Sequence, residues 1–335
     1  MSDVVDLAPF GLAVGHGTDA DGATGLTVVR GVEGPFRAAA AIVGRATGSR
    51  ELAVASPDHL VDRVDAILLT GGSAYGLDAA AGVMRWMEER GRGFPVGPGV
   101  VPIVPAAVLF DLAPLGRYDA RPTPELAHAA CDAATPLVVE GSVGAGTGAT
   151  VGKALGPARA MKGGIGCAVA DGAAVRVAAL AAVNAFGDVR DAAGRIIAGA
   201  RADDGTFADA TRVAAAGGSA TRFERTQVAG ALQHTTLCVV AVDVPVPRTA
   251  LAQLARAATA ALHRRITPCG TSFDGDVVFA VCPLPLPGRM ELADPVALLG
   301  AEVLAAGALE LAIERGVRHA VGRDGVPGLA DRAGP

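Results

Sequence analysis

The chain has 335 residues, 51% of them hydrophobic and 19% charged, which supplies ample material for a packed core and excludes a disordered protein. Its formal net charge of −5, with Lys and Arg dispersed, leaves no basic footprint for nucleic acid. Five cysteines (Cys131, Cys167, Cys238, Cys269 and Cys282) form no C-x-x-C pair and lie mostly in apolar runs, so they read as buried thiols of a reducing compartment and not as a disulfide framework.

From the N-terminus, "MSDVVDLAPFG" carries acids where a signal peptide needs a basic region, and a cytoplasmic protein is expected. Residues 25–30 ("GLTVVR") and 64–70 ("VDAILLT") read as strands. The second runs into "GGSAYGLDAA", a strand–turn–helix context in which a G-x-S-x-G elbow would expose a serine; Tyr75 stands where the second glycine belongs, so Ser73 reads as a helix cap at a Gly turn whose open N–H groups suit a carbonyl or anion. A helix follows to Gly91, with Leu77, Val83, Met84 and Met87 along one face. The weakly charged stretch 97–116 contains four prolines and Asp111, which rules it out as a membrane helix.

Glu140, just before a Gly-rich segment, reads either as a surface acid or as a partner for a substrate ammonium. The segment itself, "GSVGAGTGATVGK" (141–153), has neither the dinucleotide register nor a P-loop's spacing before Lys153, and reads as a tight backbone packed close to something else. Residues 175–183 form a strand that ends at Asn184, an Asn at a turn or a side-chain amide able to donate to an oxyanion. Residues 214–233 are small and polar. Then comes "ALQHTTLCVVAVD", with Thr235 and Thr236 heading a strand over 236–242. A helix from Thr249 aligns Leu251, Leu254, Ala258 and Leu262. In "TSFDGDVVFA", Asp274 and Asp276 flank Gly275 ahead of a strand over 277–282, either as a polar turn or with both carboxylates on one side. A last helix over 295–316 precedes a Gly/Pro-rich tail expected to be loose. None of the six histidines is paired at metal spacing, and no metal is expected. Strands and helices do not alternate regularly, which favours stacked layers of sheet and helix over a Rossmann array.

Taken in order, "LTGGSAYGLDAAAGVM", "VPIVPAAVLFDL", "GSVGAGTGATVGK", "VNAFGDVR", "TTLCVVAVD" and "FDGDVVFA" resemble the L-aminopeptidase/D-esterase and β-peptidyl aminopeptidase family, which includes nylon-oligomer and pantetheine amide hydrolases; the likeness runs from about residue 9 to 315. The resemblance implies an α/β protein, a four-layer αββα sandwich forming one domain from a self-cleaved precursor of residues 1–234 and 235–335, and assembly as a ring of four. It implies that Thr235 becomes an N-terminal nucleophile whose own amine is its base, without a cofactor. It places Asp274 and Asp276 as the acidic pair that orients the hydroxyl, Asn184 as the oxyanion donor, Lys153 as the counter-charge and Tyr75 beside the pocket. The family commonly has Asn or Gly before the nucleophile; this chain has His234. The expected substrate is a small peptide or peptide-like amide. Two other readings are an acyltransferase of the ornithine acetyltransferase type and a non-catalytic relative that binds a small anionic ligand.

Overall fold

The computed structural model describes residues 4–115, 117–217, 234–285 and 291–332. In chain order the principal elements are β1 (Leu12–Asp19), β2 (Thr24–Gly31), β3 (Phe36–Gly44), β4 (Gly48–Arg50), β5 (Ala66–Thr70), α1 (Ala80–Glu88), β6 (Ala106–Val108), α2 (Pro124–Ala133), β7 (Ile165–Asp171), β8 (Arg176–Ala182), β9 (Leu237–Val242), α3 (Arg248–Arg265), β10 (Gly275–Pro283) and α4 (Pro295–Arg318). Two five-stranded sheets result, ordered β1-β2-β5-β6-β4 and β7-β8-β9-β10-β3. Most pairs are antiparallel; β5–β6 and β9–β10 are parallel.

Every second residue of β9 faces the other sheet (Leu237, Val239, Ala241), and the intervening Cys238, Val240 and Val242 face the helices α3 and α4. A strand covered on both faces needs an unbroken apolar run, and that is what "LCVVAV" supplies. The middle core joins those inward residues to Leu12, Val14, Val29, Ile67 and Leu69 of the first sheet. The opposite face of the first sheet, with Leu26, Val28 and Leu68, is covered by Val83, Trp86 and Met87 of α1 and by Ala127 and Ala130 of α2. Helix, sheet, sheet and helix therefore stack in four layers, as expected.

The helices begin where the chain offers an acceptor for open N–H groups. Thr123 Oγ1 accepts from Leu126 N–H at 3.2 Å ahead of α2, and Asp294 Oδ2 accepts from Ala297 N–H at 2.8 Å ahead of α4. In α3 the stripe of Leu251, Leu254, Ala258 and Leu262 is buried throughout. Helix α4 approaches β7 so closely that a Cβ at Gly166 would lie 2.0 Å from the Ala312 carbonyl oxygen.

Three expectations change. The helix after Gly72 opens as a 3-10 turn (Ser73–Ala79) before α1 begins; Ser73 sits at φ 53° with its N–H on the Leu109 carbonyl, and its side chain caps nothing. The described part of the tail is packed: α4 continues to Arg318, Ala320 is buried, and the Pro327 carbonyl accepts from Lys162 N–H at 2.9 Å. Strands β1, β3, β4, β6 and β7, not anticipated, complete the two sheets. The polar stretch 214–233 lies outside the described residues from 218 onward.

The Gly166 contact leaves no room for a methyl group, and overpacking of this kind typically costs about 1–3 kcal/mol. Gly166→Ala should lower the thermal midpoint measurably, whereas Gly300→Ala, on the open face of α4 where nothing lies within 4 Å, should not.

Candidate active site

The parallel register of β9 with β10 continues beyond both strands, with His234, three residues ahead of β9, bridging to Asp274, one residue ahead of β10. In consequence Gly275 N–H donates to the His234 carbonyl at 3.0 Å, and Val277 N–H to the Thr236 carbonyl at 3.2 Å. The His234–Thr235 peptide bond thus lies in a sheet ladder. On its other side Thr235 N–H donates to the Asn184 carbonyl at 2.8 Å. The Thr235 hydroxyl donates to the His234 carbonyl at 2.7 Å, so that oxygen accepts from two donors. His234 and Thr235 are buried, at 3% and 5% exposure, and the His234 ring lies against Phe186 with centroids 5.0 Å apart.

Because Asp274 and Asp276 are two apart on one strand, their side chains share a face. Asp274 Oδ2 accepts from Thr271 N–H and Oγ1 at 2.8 and 2.7 Å. Asp276 Oδ1 accepts from Thr236 N–H at 2.6 Å, and its Oδ2 accepts from the Cys269 thiol at 3.2 Å. Burial, and then the neighbouring Asp274 charge, push the Asp276 carboxyl up to about 7. The Thr236 N–H and the thiol favour the ionised form but do not offset burial.

Lys153 Nζ donates to Asn184 Oδ1 at 2.8 Å, where Thr150 N–H also donates at 3.1 Å; Asn184 Nδ2 donates to the Phe110 carbonyl at 3.2 Å. These partners fix which way the Asn184 amide faces. Burial lowers the Lys153 ammonium to about 7, against the attraction of Asp274 and Asp111.

The Gly-rich segment brings Thr150 and Lys153 to this point because its backbone runs through spaces that hold no side chain. A Cβ at Gly144 (φ 52°) would lie 2.4 Å from His16 Nδ1, and one at Gly152 (φ 69°) 2.1 Å from the Gly199 carbonyl carbon. The segment is pinned by Lys162, fully buried, whose Nζ donates to the carbonyls of Gly146, Thr147 and Ala149 at 3.1, 3.0 and 2.7 Å.

Six of the expected residues therefore meet: Thr235, His234, Asn184, Lys153, Asp274 and Asp276. Glu140 does not join them. Glu140 Oε1 accepts from Cys167 N–H and from Arg315 Nε, each at 2.8 Å, and the second guanidinium nitrogen binds Oε2. Cys167 is level with Leu180 and Val239, two strands across and four residues along from Thr235. The carboxylate is thus a fastening between the 140 loop and α4, not a partner for a substrate ammonium. Tyr75 is 53% exposed, and its ring receives the Arg121 guanidinium 3.5 Å from the centroid.

Residues not singled out from the sequence enter instead. Asp111, 1% exposed, accepts from Thr24 Oγ1 and Gly72 N–H, both at 2.7 Å, and so holds the segment whose Phe110 carbonyl meets Asn184. Its signal was a lone charge in the apolar stretch 97–116. Gly275 contributes through its backbone, for which sequence carries no side-chain cue. Among the described residues no group of three His, Cys, Asp or Glu forms a metal site.

Residues 3–326 match the profile of peptidase family S58. The chain belongs to that family. As an S58 member it is 38% identical over 350 residues to an uncharacterized aminopeptidase of Mycobacterium tuberculosis (strain H37Rv), covering 99% of this chain and 98% of that one. It is 28% identical over 298 residues to a 6-aminohexanoate-oligomer endohydrolase of Agromyces sp. (strain KY5R), covering 84% and 79%. The S58 fold superposes on the L-aminopeptidase D-Ala-esterase/amidase of Ochrobactrum anthropi, described as a variant of the Ntn hydrolase fold, with TM-score 0.69, 18% identity and coverage of 96% and 88%. The expected family and four-layer fold are borne out, and the S58 chain is a hydrolase acting on amide bonds, of the aminopeptidase kind.

Two outcomes follow for the S58 site. Asp276 keeps its proton up to about pH 7 when folded but only to about 4 when unfolded, so stability falls as pH rises across that window. In a Thr235→Ala background, Asp276→Asn should remove this slope, gaining on the order of a few kcal/mol over its parent between pH 4 and 8 in urea titrations. Glu140→Gln should lower the thermal midpoint, losing about 1–3 kcal/mol, and leave KM for aminoacyl amides unchanged.

Proposed function

We propose that this S58 hydrolase matures by cutting itself between His234 and Thr235 and then cleaves N-terminal amide bonds of small peptides or peptide-like amides through an acyl-enzyme on Thr235. The observation that carries the reading is the Thr235 hydroxyl, 2.7 Å from the oxygen of the preceding carbonyl in a buried, fully bonded peptide unit. Attack by Oγ1 on the His234 carbonyl carbon moves the hydroxyl proton to the Thr235 nitrogen as the C–N bond breaks. Water then hydrolyses the resulting ester, leaving a carboxylate on His234 and a free amine on Thr235.

An α-amino group titrates near 7.7–8.0 in reference peptides, so near neutrality a useful fraction is the free base. That amine accepts the hydroxyl proton in each later turnover. The Asn184 carbonyl, which holds the Thr235 nitrogen before the cut, is placed to keep the new amine beside its own hydroxyl. Lys153 offsets the charge of Asp274, the carboxylate that acts on it most strongly, and limits how far that charge biases the amine toward ammonium. His234 suits the cut because an N-to-O acyl shift depends on a held, polarised peptide bond more than on the preceding side chain.

The aminopeptidase and 6-aminohexanoate-oligomer endohydrolase relatives define the range of amides to try. Incubation of purified protein should convert the 335-residue chain into pieces of 234 and 101 residues on a denaturing gel, the smaller starting at Thr235 by N-terminal sequencing. Thr235→Ala should stay whole and lose activity at least about 1,000-fold against a panel of L-, D- and β-aminoacyl amides. An intact wild-type chain that is fully active would sink the proposal.

A further inference from the structure

On the basis of that reading, we infer that the backbone N–H of Gly275 is a catalytic oxyanion donor, first for the self-cleavage and then for the substrate. The Gly275 N–H donates to the His234 carbonyl oxygen at 3.0 Å, and this oxygen is the one that gains negative charge when Thr235 Oγ1 attacks. No rearrangement is needed. The donor is fixed by the ladder on both sides, since Val277 N–H binds the Thr236 carbonyl and the Asp274 carbonyl is itself held by Arg45 and Ala46 N–H at 2.9 and 3.0 Å. A rigid donor aimed at the developing charge is what stabilises such a transition state.

The resemblance gives a donor role to the Asn184 amide, and the Gly275 N–H is a second donor that the resemblance did not name. Asn184 Oδ1 accepts from Lys153 and Thr150, and its Nδ2 donates to the Phe110 carbonyl. Asn184 meets the reacting residue through its main-chain carbonyl, on the Thr235 nitrogen. The Gly275 N–H is the main-chain donor that touches the reacting oxygen.

The glycine itself is required by space. A Cβ at 275 would lie 2.5 Å from the Ala46 carbonyl oxygen and 2.9 Å from Thr235 Oγ1. Once His234 is released as a carboxylate and moves away, the same N–H faces the substrate carbonyl that takes its place, because one Oγ1 attacks both. In that step the Oγ1–C bond forms, the hydroxyl proton passes to the Thr235 amine, and the substrate oxygen takes the charge against Gly275. Collapse breaks the C–N bond, and the leaving amine takes that proton.

The test replaces one backbone amide by an ester. Glycolic acid at position 275 deletes the N–H without adding an atom, and 2-hydroxy-3-methylbutanoic acid at 277 deletes the next ladder bond as a control for sheet stability. Loss of one oxyanion donor typically costs about 100- to 1,000-fold, so the 275 ester should slow self-cleavage by at least about 100-fold while the 277 ester stays within a few-fold of the unmodified chain. Equal slowing by both overturns the assignment. In a second arm, mature protein treated with 1-aminoethylboronic acid should form an adduct on Thr235 Oγ1 whose crystal structure puts a boronate oxygen in hydrogen-bond range of Gly275 N. An adduct on Thr235 with that oxygen on Asn184 Nδ2 instead overturns the inference alone; a wild-type chain that neither cuts nor takes the boronate at Thr235 overturns the nucleophile reading beneath it.

Discussion

The parallel register between β9 and β10 is the constraint on which the site rests. It continues past the last apolar pair to His234 and Asp274, and so carries the sheet ladder across the peptide bond ahead of Thr235. Hydrogen bonds from Gly275, to Asn184 and to Asp276 then hold residues 234–236 in place. The His234–Thr235 peptide bond thus lies in sheet backbone, and the other residues of the candidate site are brought to it.

Those residues come from three other places, and each arrives through a local exception. Asn184 follows β8 directly. Lys153 and Thr150 ride on a segment of small residues threaded past Gly199 and His16, tied by a buried lysine to three carbonyls. The Phe110 carbonyl is set by Asp111, whose burial raises its carboxyl to about 6 although Gly72 N–H, Thr24 and the charge of Lys162 all favour ionisation. Asp111, Asp276 and Lys153 are thus all kept near the point where they change charge at neutral pH. Buried ionisable groups of this kind weaken a fold, and their concentration around one peptide bond makes it a candidate for chemistry.

Much of this was legible in the sequence. Strands β2, β5, β8, β9 and β10 and both long helices, α3 and α4, fall where their apolar runs and periodicity put them. The strands that escaped are "LAVGHGTD", "FRAAAAIVG", "GSR", "AAV" and "IGCAVAD", which are short or rich in Ala and Gly; at Gly15 and Gly166 a helix backbone comes too close for any side chain. Helix α2 carried a readable start, Thr-Pro-Glu, but its short run of alanines gave little contrast between faces. Within the site, Thr235, Asn184, Lys153, Asp274 and Asp276 were legible through ordered motifs. Glu140 was not, because an acid beside a Gly-rich loop looks the same whether it meets a ligand or, as here, Arg315. Asp111 and the Gly275 amide act through burial and main-chain geometry, which only the three-dimensional register reveals.

The strand order of the second sheet has a consequence of its own. Strands β9 and β10, from beyond residue 234, are flanked by β8 on one side and β3 on the other, both from before it. If the chain is nicked at that point, the two pieces are interleaved like the fingers of clasped hands, and neither can leave without tearing two ladders at once. Holding together then costs nothing extra, but recovery after denaturation changes character: a single chain finds its own partner strands, whereas severed pieces must meet by diffusion and do so more slowly as they are diluted. Persistence of the nicked form would rest on a slow escape from the native state, and damage to it would be final at the concentrations where the intact chain still repairs itself.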